Sequence, residues 1–482
     1  MSNHNSGWNL DNSYAKLPGT MYTPATPARV REPRLIVWNH PLAQQLGLDF
    51  SNSSPMELAQ LCTGQTLPIG SQPIAQAYAG HQYGGFTMLG DGRAILLGEQ
   101  ITPSGQRFDL QFKGSGPTHY SRRGDGRAAL GPMLREYLVS EAMAALGIPT
   151  TRCLGVALTG EVVHREQMPP GAVMLRVANS HIRVGTFQYA ATRTDEATQL
   201  AFLKYTIARH DPNLIDQQAQ AIDFFKQVLA RQARLIAQWQ SVGFIHGVMN
   251  TDNMAISGET IDYGPCAFMN AYNPATVFSS IDSGGRYAYD QQPFIANWNL
   301  ARLAESLLSQ FHVDQDTAVA MATDVLKDFP IVYEQAWLEL FRGKLGLQVH
   351  HSDDAVLVND LLTWMKDTKA DFTNTFRNLA TLEVAGDERL SAWQHRWQAR
   401  QQLESTSSAD RVALLMNSVN PVVIPRNHRV EEALAAAELQ GNIEPFHRLL
   451  AAVQQPFTES SANLDYREPP ASEAGYHTYC GT

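Results

Sequence analysis

The run His246-Gly247-Val248-Met249-Asn250-Thr251-Asp252-Asn253 is followed, nine residues after the asparagine, by Asp262-Tyr263-Gly264. An amide oxygen from Asn253 and a carboxylate from Asp262 are hard donors, and at this spacing they can hold Mg²⁺ on the phosphates of a nucleoside triphosphate. Loops of this pattern place a base two residues after the histidine. Here that position is Val248, whose side chain cannot accept a proton. The metal half of a phosphoryl-transfer site is therefore present without its usual base.

Other phosphate-handling residues stand in a telling order. Lys113 closes the strand-like run Phe108-Asp109-Leu110-Gln111-Phe112-Lys113, and Glu136 lies on the helix expected after Pro132, where it can hold the Lys113 ammonium in place. Glu141 competes for that role on the same helix. Strand lysine, helix glutamate, metal asparagine and metal aspartate follow one another as they do in protein kinases. Lys113 alone would be an ordinary surface lysine. Gly90-Asp91-Gly92-Arg93 lies between two strand-like runs and either lets backbone amides approach a nucleotide or makes a hairpin turn. Arg122-Arg123-Gly124-Asp125-Gly126-Arg127 is either an anion site or a solvated basic loop. If residues 173–184 run strand, turn, strand, Arg176 and Arg183 can turn into one cleft and grip a terminal phosphate. His164, His181 and His246 have no metal-ligand spacing, and His246 reads as packing for its loop.

The elements that must position these groups can be read from texture and period. At 482 residues and 44% hydrophobic the chain can bury more than one core. The Asn-, Ser- and Pro-rich residues 1–77 read as an extension packed on that core, and 78–195 as a glycine-punctuated lobe with strands such as Ala94–Leu97. Pro132 and Gly147 bracket a helix. Phe225, Leu229, Ala233, Ile236 and Trp239 recur at helical steps, starting a mostly helical 196–460 that carries the catalytic loop. Residues 461–482 form a tail with Cys480. A net charge of −10 argues against a nucleic-acid partner. No apolar run reaches membrane length and no targeting segment is visible, so a cytoplasmic protein without a membrane partner is expected. Four cysteines are too few for a disulfide scaffold.

Several long motifs resemble the selenoprotein O (SelO) family across nearly the whole chain. They are Tyr78-Ala79-Gly80-His81-Gln82-Tyr83-Gly84, Leu110 to Gly116, His246 to Asn253, Asp262-Tyr263-Gly264-Pro265, Asn420-Pro421 through Arg426-Asn427-His428, and the ending Tyr479-Cys480-Gly481-Thr482. The resemblance implies an α+β, protein-kinase-like two-lobed fold with a largely helical second lobe. It also implies protein adenylyltransferase activity, with ATP bound in the reverse sense to a kinase and AMP passed to Ser, Thr or Tyr hydroxyls of proteins. Gly90, Gly92, Arg93, Lys113, Asp125, Gly126, Arg176, Arg183 and Asp262 match its nucleotide site; Asn253 and Asp262 match its Mg²⁺ or Mn²⁺ site. Asp252 matches its proton acceptor, which accounts for Val248: if the reacting phosphorus has moved, the base must move too. Capping is the local alternative for Asp252. Glu136 matches the lysine partner. Cys480 matches a redox-active position, with Cys266 its candidate partner, while Asn270 departs from an acidic family position. A monomer is favoured. A phosphotransferase using Asp252 as a conventional base, and a non-catalytic ATP-binding scaffold read out through Cys480, remain as other classes.

Overall fold

The computed structural model describes residues 6–165, 168–215, 217–384, 386–404, 409–472 and 478. Eleven strands build the first lobe: β1 (Leu10–Asp11), β2 (Tyr22–Pro24), β3 (Arg34–Trp38), β4 (Ile74–Gln76), β5 (Ala79–Gln82), β6 (Gly85–Met88), β7 (Ala94–Ile101), β8 (Arg107–Lys113), β9 (Ala128–Ala129), β10 (Arg152–Val162) and β11 (Pro170–Ala178). Nine of them form one antiparallel sheet in the order β2-β4-β7-β8-β11-β10-β3, with β1 beside β7 and β9 beside β11. Residues before position 78 supply four of these strands, so the expected extension is woven into the sheet.

Alternation along β8 and β11 separates packing from chemistry. Leu110 and Phe112, with Val173, Leu175 and Val177, point to one face and pack on Leu42 and Leu46 of α1 (His40–Gln45) and its neighbour and on Leu58 and Leu61 of α2 (Pro55–Cys62). Gln111, Lys113 and Arg176 occupy the intervening positions and therefore point to the other face. The register puts Arg176 opposite Gln111. That second face is covered by α3 (Leu130–Ala145), whose Leu134 and Leu138 share a core with Met174 and Val156. The helix begins two residues before Pro132, which sits in its first turn.

Beyond β11 the chain does not form the second strand expected around Arg183. Arg183 caps α4 (Val184–Arg193), and its amide donates to Thr186 Oγ1 at 3.0 Å. Only a single bridge, Arg183 to Ala255, survives of strand pairing there. The Val184 and Ile256 amides bond across to Met254 and Ile182, which lashes the start of α4 to the loop after Asn253. The second lobe continues with α5 (Glu196–His210), α6 (Gln220–Ser241), α7 (Gln292–Glu305) and further helices to Leu464. The α6 stripe of Phe225, Leu229, Ala233, Ile236 and Trp239 is buried as its period implies. One core joins Leu134 of α3, Phe187 of α4, Phe225 of α6 and Leu300 of α7, so the lobes are fused. Among the described residues no helix is long and apolar enough to cross a membrane.

The hairpin β5–β6 stands outside the main sheet and packs on α4 and the catalytic loop. Gly185 makes this close approach possible, since a Cβ there would lie 2.0 Å from the Ala79 carbonyl oxygen and 3.4 Å from Asp252 Cα. Gly185→Ala is expected to push the hairpin off the loop and destabilise the protein by about 1–3 kcal/mol, the usual range for overpacking. Chemical denaturation measures it; an unchanged unfolding midpoint would show that the hairpin is not packed this way.

Candidate active site

Between the lobes lies a cavity of about 490 Å³ lined by Lys113, Glu136, Arg176, Arg183, Asp252, Asn253 and Asp262 among others. Its floor is an ionic knot. Lys113 Nζ donates to Glu136 Oε2 at 2.5 Å and to Asp262 Oδ1 at 2.7 Å. Arg176 Nη1 reaches the same two carboxylates, Glu136 at 3.0 Å and Asp262 at 2.6 Å, while its Nη2 donates to Gln111 Oε1 at 2.6 Å. Arg183 lies 3.5 Å from Asp262 Oδ2 and stacks 4.5 Å above the Tyr78 ring. Glu141 is elsewhere, paired with Arg152. Lysine ion-paired to a helix glutamate, a catalytic loop and Asp-Tyr-Gly are the parts of a protein-kinase catalytic core.

The knot sets the protonation states. Burial alone would raise the Asp262 carboxyl, but Lys113, Arg176 and Arg183 hold it well below the usual carboxylate range. Burial would likewise lower the Arg176 guanidinium, and Asp262 and Glu136 more than offset it. Asp262 also has a left-handed backbone at φ 62, uncommon for a side-chain-bearing residue and found where surroundings hold a functional group in place. Arg135 of α3 donates to the Gly264 and Cys266 carbonyls at 3.1 and 2.5 Å, so the helix carrying Glu136 also clamps the loop carrying Asp262.

The catalytic loop is anchored by His246, buried, stacked on Trp239 and bonded from Nε2 to the Ile261 carbonyl at 2.8 Å. Asn253 Nδ2 donates to the Val248 carbonyl at 2.9 Å, which leaves its oxygen for the cleft. An amide oxygen and an ionised carboxylate on one cavity suit Mg²⁺ or Mn²⁺, whose remaining ligands would come from phosphates and water. Part of Asp252 reaches solvent, yet its Oδ1 is buried without a partner, and Gln82 Nε2 approaches Oδ2 at 3.4 Å. Burial pushes this carboxyl up to about 6, against the opposing pull of Arg183.

Of the residues expected at the nucleotide site, Gly92, Arg93, Lys113, Arg176, Arg183 and Asp262 line the cavity with Glu136, Asp252 and Asn253. Gly90, Asp125 and Gly126 are not brought to that lining. Asp125 is turned to Arg165, which bonds its two oxygens at 3.0 and 3.1 Å. Gly90 and Gly126 have backbone roles: at φ +110 and +64, a Cβ would overlap the Tyr120 ring and the Gly116 carbonyl. Sequence reasoning missed Asp91, whose Oδ1 is buried without a partner 3.7 Å from Arg183 Nη1, and also Tyr78 and Gln111. The period-2 face shared by Gln111 and Lys113 was a usable signal for the last. Cys266 is free and buried, and burial pushes its thiol up to about 11; Cys480 lies outside the described residues. Thr478, two positions before it, donates to the Pro265 carbonyl at 2.6 Å.

The profile of a family described as "Protein adenylyltransferase SelO" matches residues 7–454. A relative from Nitrosococcus oceani, "Protein nucleotidyltransferase YdiU", is 51% identical over 488 residues, covering 100% of this chain and 99% of the relative. One of the same description from Bacillus cytotoxicus is 53% identical over 486 residues, covering 99% and 98%. A solved structure titled as ROP2 from Toxoplasma gondii, a virulence factor with a protein-kinase fold and no enzymatic activity, gives a TM-score of 0.25 at 9% identity over 69% of this chain and 88% of that one, too slight a likeness to argue from.

Asp252 and Asp262 should respond oppositely to removal. Asp262→Ala strips the shared carboxylate from three cations and should cost on the order of 2–3 kcal/mol, somewhat below the figure for a fully buried pair because its side chain is 22% exposed. The Asp252 carboxyl sits above its ordinary 3.8 in the folded state, so its contribution to stability is present at low pH and is lost as pH rises through about 6. Asp252→Ala should thus leave stability at pH 8 unchanged or higher. Urea titration of both variants decides this, and equal losses would contradict the assignment of the ionic knot to Asp262.

Proposed function

The chain belongs to the SelO family and is a nucleotidyltransferase, and from that premise we propose that it transfers AMP from ATP to Ser, Thr or Tyr hydroxyls of protein substrates. The observation that carries this reading is the split between cations and base. Lys113, Arg176 and Arg183 are gathered on the buried floor. The kinase base position holds Val248, and the one carboxylate of the loop, Asp252, stands under the β5–β6 hairpin. A triphosphate whose terminal phosphates sit on the cations exposes its α-phosphorus to an acceptor near Asp252.

In this mechanism the floor positions and neutralises while Asp252 moves a proton. Lys113 and Arg176 arrive already oriented by Glu136 and Gln111, so little reorganisation accompanies the growth of negative charge on the leaving pyrophosphate. Mg²⁺ or Mn²⁺ held by Asn253 and Asp262 would add charge neutralisation along the phosphates. The Asp252 carboxylate, part of which reaches solvent, accepts the hydroxyl proton as the oxygen attacks the α-phosphorus and the bond to pyrophosphate breaks. The expected location is the cytoplasm.

ATP labelled on the α- or the γ-phosphate tests the reading. Label from the α-position should become protein-bound and γ-label should leave as pyrophosphate; γ-label on protein would mean a kinase, and neither label with retained ATP binding would mean a scaffold. Asp252→Ala should keep ATP affinity while transfer falls by about 10²–10⁴, the weight of a general base.

The pH profile of native transfer gives a further check. Because Asp252 accepts a proton only when ionised, the rate should climb with pH through about 6 and then level. A rate independent of pH between 5 and 7, roughly one unit on either side of that value, would remove Asp252 from the role.

A further inference from the structure

Beside Asp252, the β5–β6 hairpin and the segment 286–298 meet in a continuous aromatic surface. The Tyr83 ring lies 5.1 Å from Tyr287, Phe86 5.2 Å from His81, and His81 5.4 Å from Trp298. Arg286 closes the circuit, its guanidinium 4.9 Å above Trp298 and 5.7 Å above Tyr287. Tyr83 and Phe86 remain 38% and 44% exposed. An aromatic cluster left at the surface next to a reactive carboxylate marks a contact site.

Two features go beyond exposure. Tyr83 has φ 51, a left-handed backbone that a bulky residue keeps only where its surroundings impose it. The catalytic loop imposes it: the Tyr83 amide donates to Asn250 Oδ1 at 3.2 Å, the same oxygen takes the Tyr287 hydroxyl at 2.7 Å, and the His81 amide donates to Thr251 Oγ1 at 2.7 Å. Glycine would hold this turn with less strain, so the backbone itself has no need of a ring there. Arg286, second, has no carboxylate paired with its guanidinium among the described residues, whereas neighbouring Arg302 is paired with Glu305 at 2.7 Å. Arg302 lies over the same Trp298 ring at 4.9 Å but has its own carboxylate, so Arg286 is the cation of this aromatic frame left for a local carboxylate, and the net charge of −10 disfavours a polyanion.

We propose that this rim docks the acceptor: an extended polypeptide segment that sets an acidic side chain on Arg286 and an apolar side chain against Tyr83 and Phe86, beside the hydroxyl delivered to Asp252. The proposal rests on the adenylyl-transfer reading of the same cleft and adds the class of segment it takes. Nucleotide phosphates have their own cations on the floor, Lys113, Arg176 and Arg183, which leaves Arg286 to the acceptor. Because the hairpin is bonded to Asn250 and Thr251, immediately before Asp252, a segment seated on it is held in register with the base.

Fluorescence anisotropy on the full chain, with Mg²⁺ and a non-hydrolysable ATP analogue, tests this using labelled synthetic peptides. One carries a central Thr with Phe and Asp beside it; the others replace Phe by Gly or Asp by Lys. Each replacement should weaken binding about tenfold, the scale of one lost apolar contact or one reversed charge pair. Arg286→Gln should erase the Asp-over-Lys preference. Phe86→Ala, which removes an exposed ring outside the nucleotide cavity, should erase the Phe-over-Gly preference, and both variants should bind the analogue as the native protein does. Equal binding of the three peptides, preferences that survive the substitutions, or lost analogue affinity in Phe86→Ala would each overturn the proposal. Since anisotropy needs no turnover, these outcomes are separate from the labelled-ATP result, in which failure would strike the reaction itself.

Discussion

The structure of the cleft depends on one carboxylate shared by three cations. Asp262 receives Lys113 and Arg176 at 2.7 and 2.6 Å and has Arg183 at 3.5 Å. Lys113 and Arg176 come from the sheet, Arg183 from the cap of α4, and Asp262 from the loop of the second lobe. A buried charge cluster of this kind adds little to net stability but is strongly destabilising to break, so it fixes geometry. Arg135 reinforces it by joining α3 to the same loop through two carbonyls. The lobes are therefore held at the separation the cleft needs by both the ionic knot and a continuous apolar core.

That constraint also divides the cleft chemically. Cations collect where burial is deepest: Lys113, Arg176 and Arg183 converge on Asp262, with Glu136 and Asp91 as further counter-charges. Asp252 lies under a hairpin outside the main sheet, with burial raising its carboxyl and one oxygen unpartnered. Three cations on the floor and a proton acceptor toward the rim orient an asymmetric triphosphate one way. Val248, inert at the position where a kinase keeps its base, fits that orientation.

Much of this was legible in the sequence because it is local. The Asn253 and Asp262 spacing, the strand ending at Lys113, the Pro132 helix carrying Glu136, and the α6 stripe all follow from period and punctuation. What escaped was set by long-range contact. Asp91 becomes part of the site only because the chain near Gly90 folds back beside Arg183, and Tyr78 only because Arg183 stacks on it. Arg183 was expected on a strand, yet Thr186 and the bonds to Met254 and Ile182 made it a helix cap. Asp125 carries the right charge for a phosphate-loop motif, but Arg165, forty residues away in the chain, holds it. The role of the hairpin beside Asp252 depended on Gly185 admitting it, and no pattern in Tyr78 to Gly84 announces that approach.

The direction in which the nucleotide lies decides between adenylyl and phosphoryl transfer, and a crystal structure with Mg²⁺ and a non-hydrolysable ATP analogue reveals it. Terminal phosphates are expected on Lys113, Arg176 and Arg183, the metal between Asn253 and Asp262, and the α-phosphorus on the side of Asp252. A nucleotide with its base buried and its γ-phosphorus turned toward Asp252 would contradict adenylyl transfer.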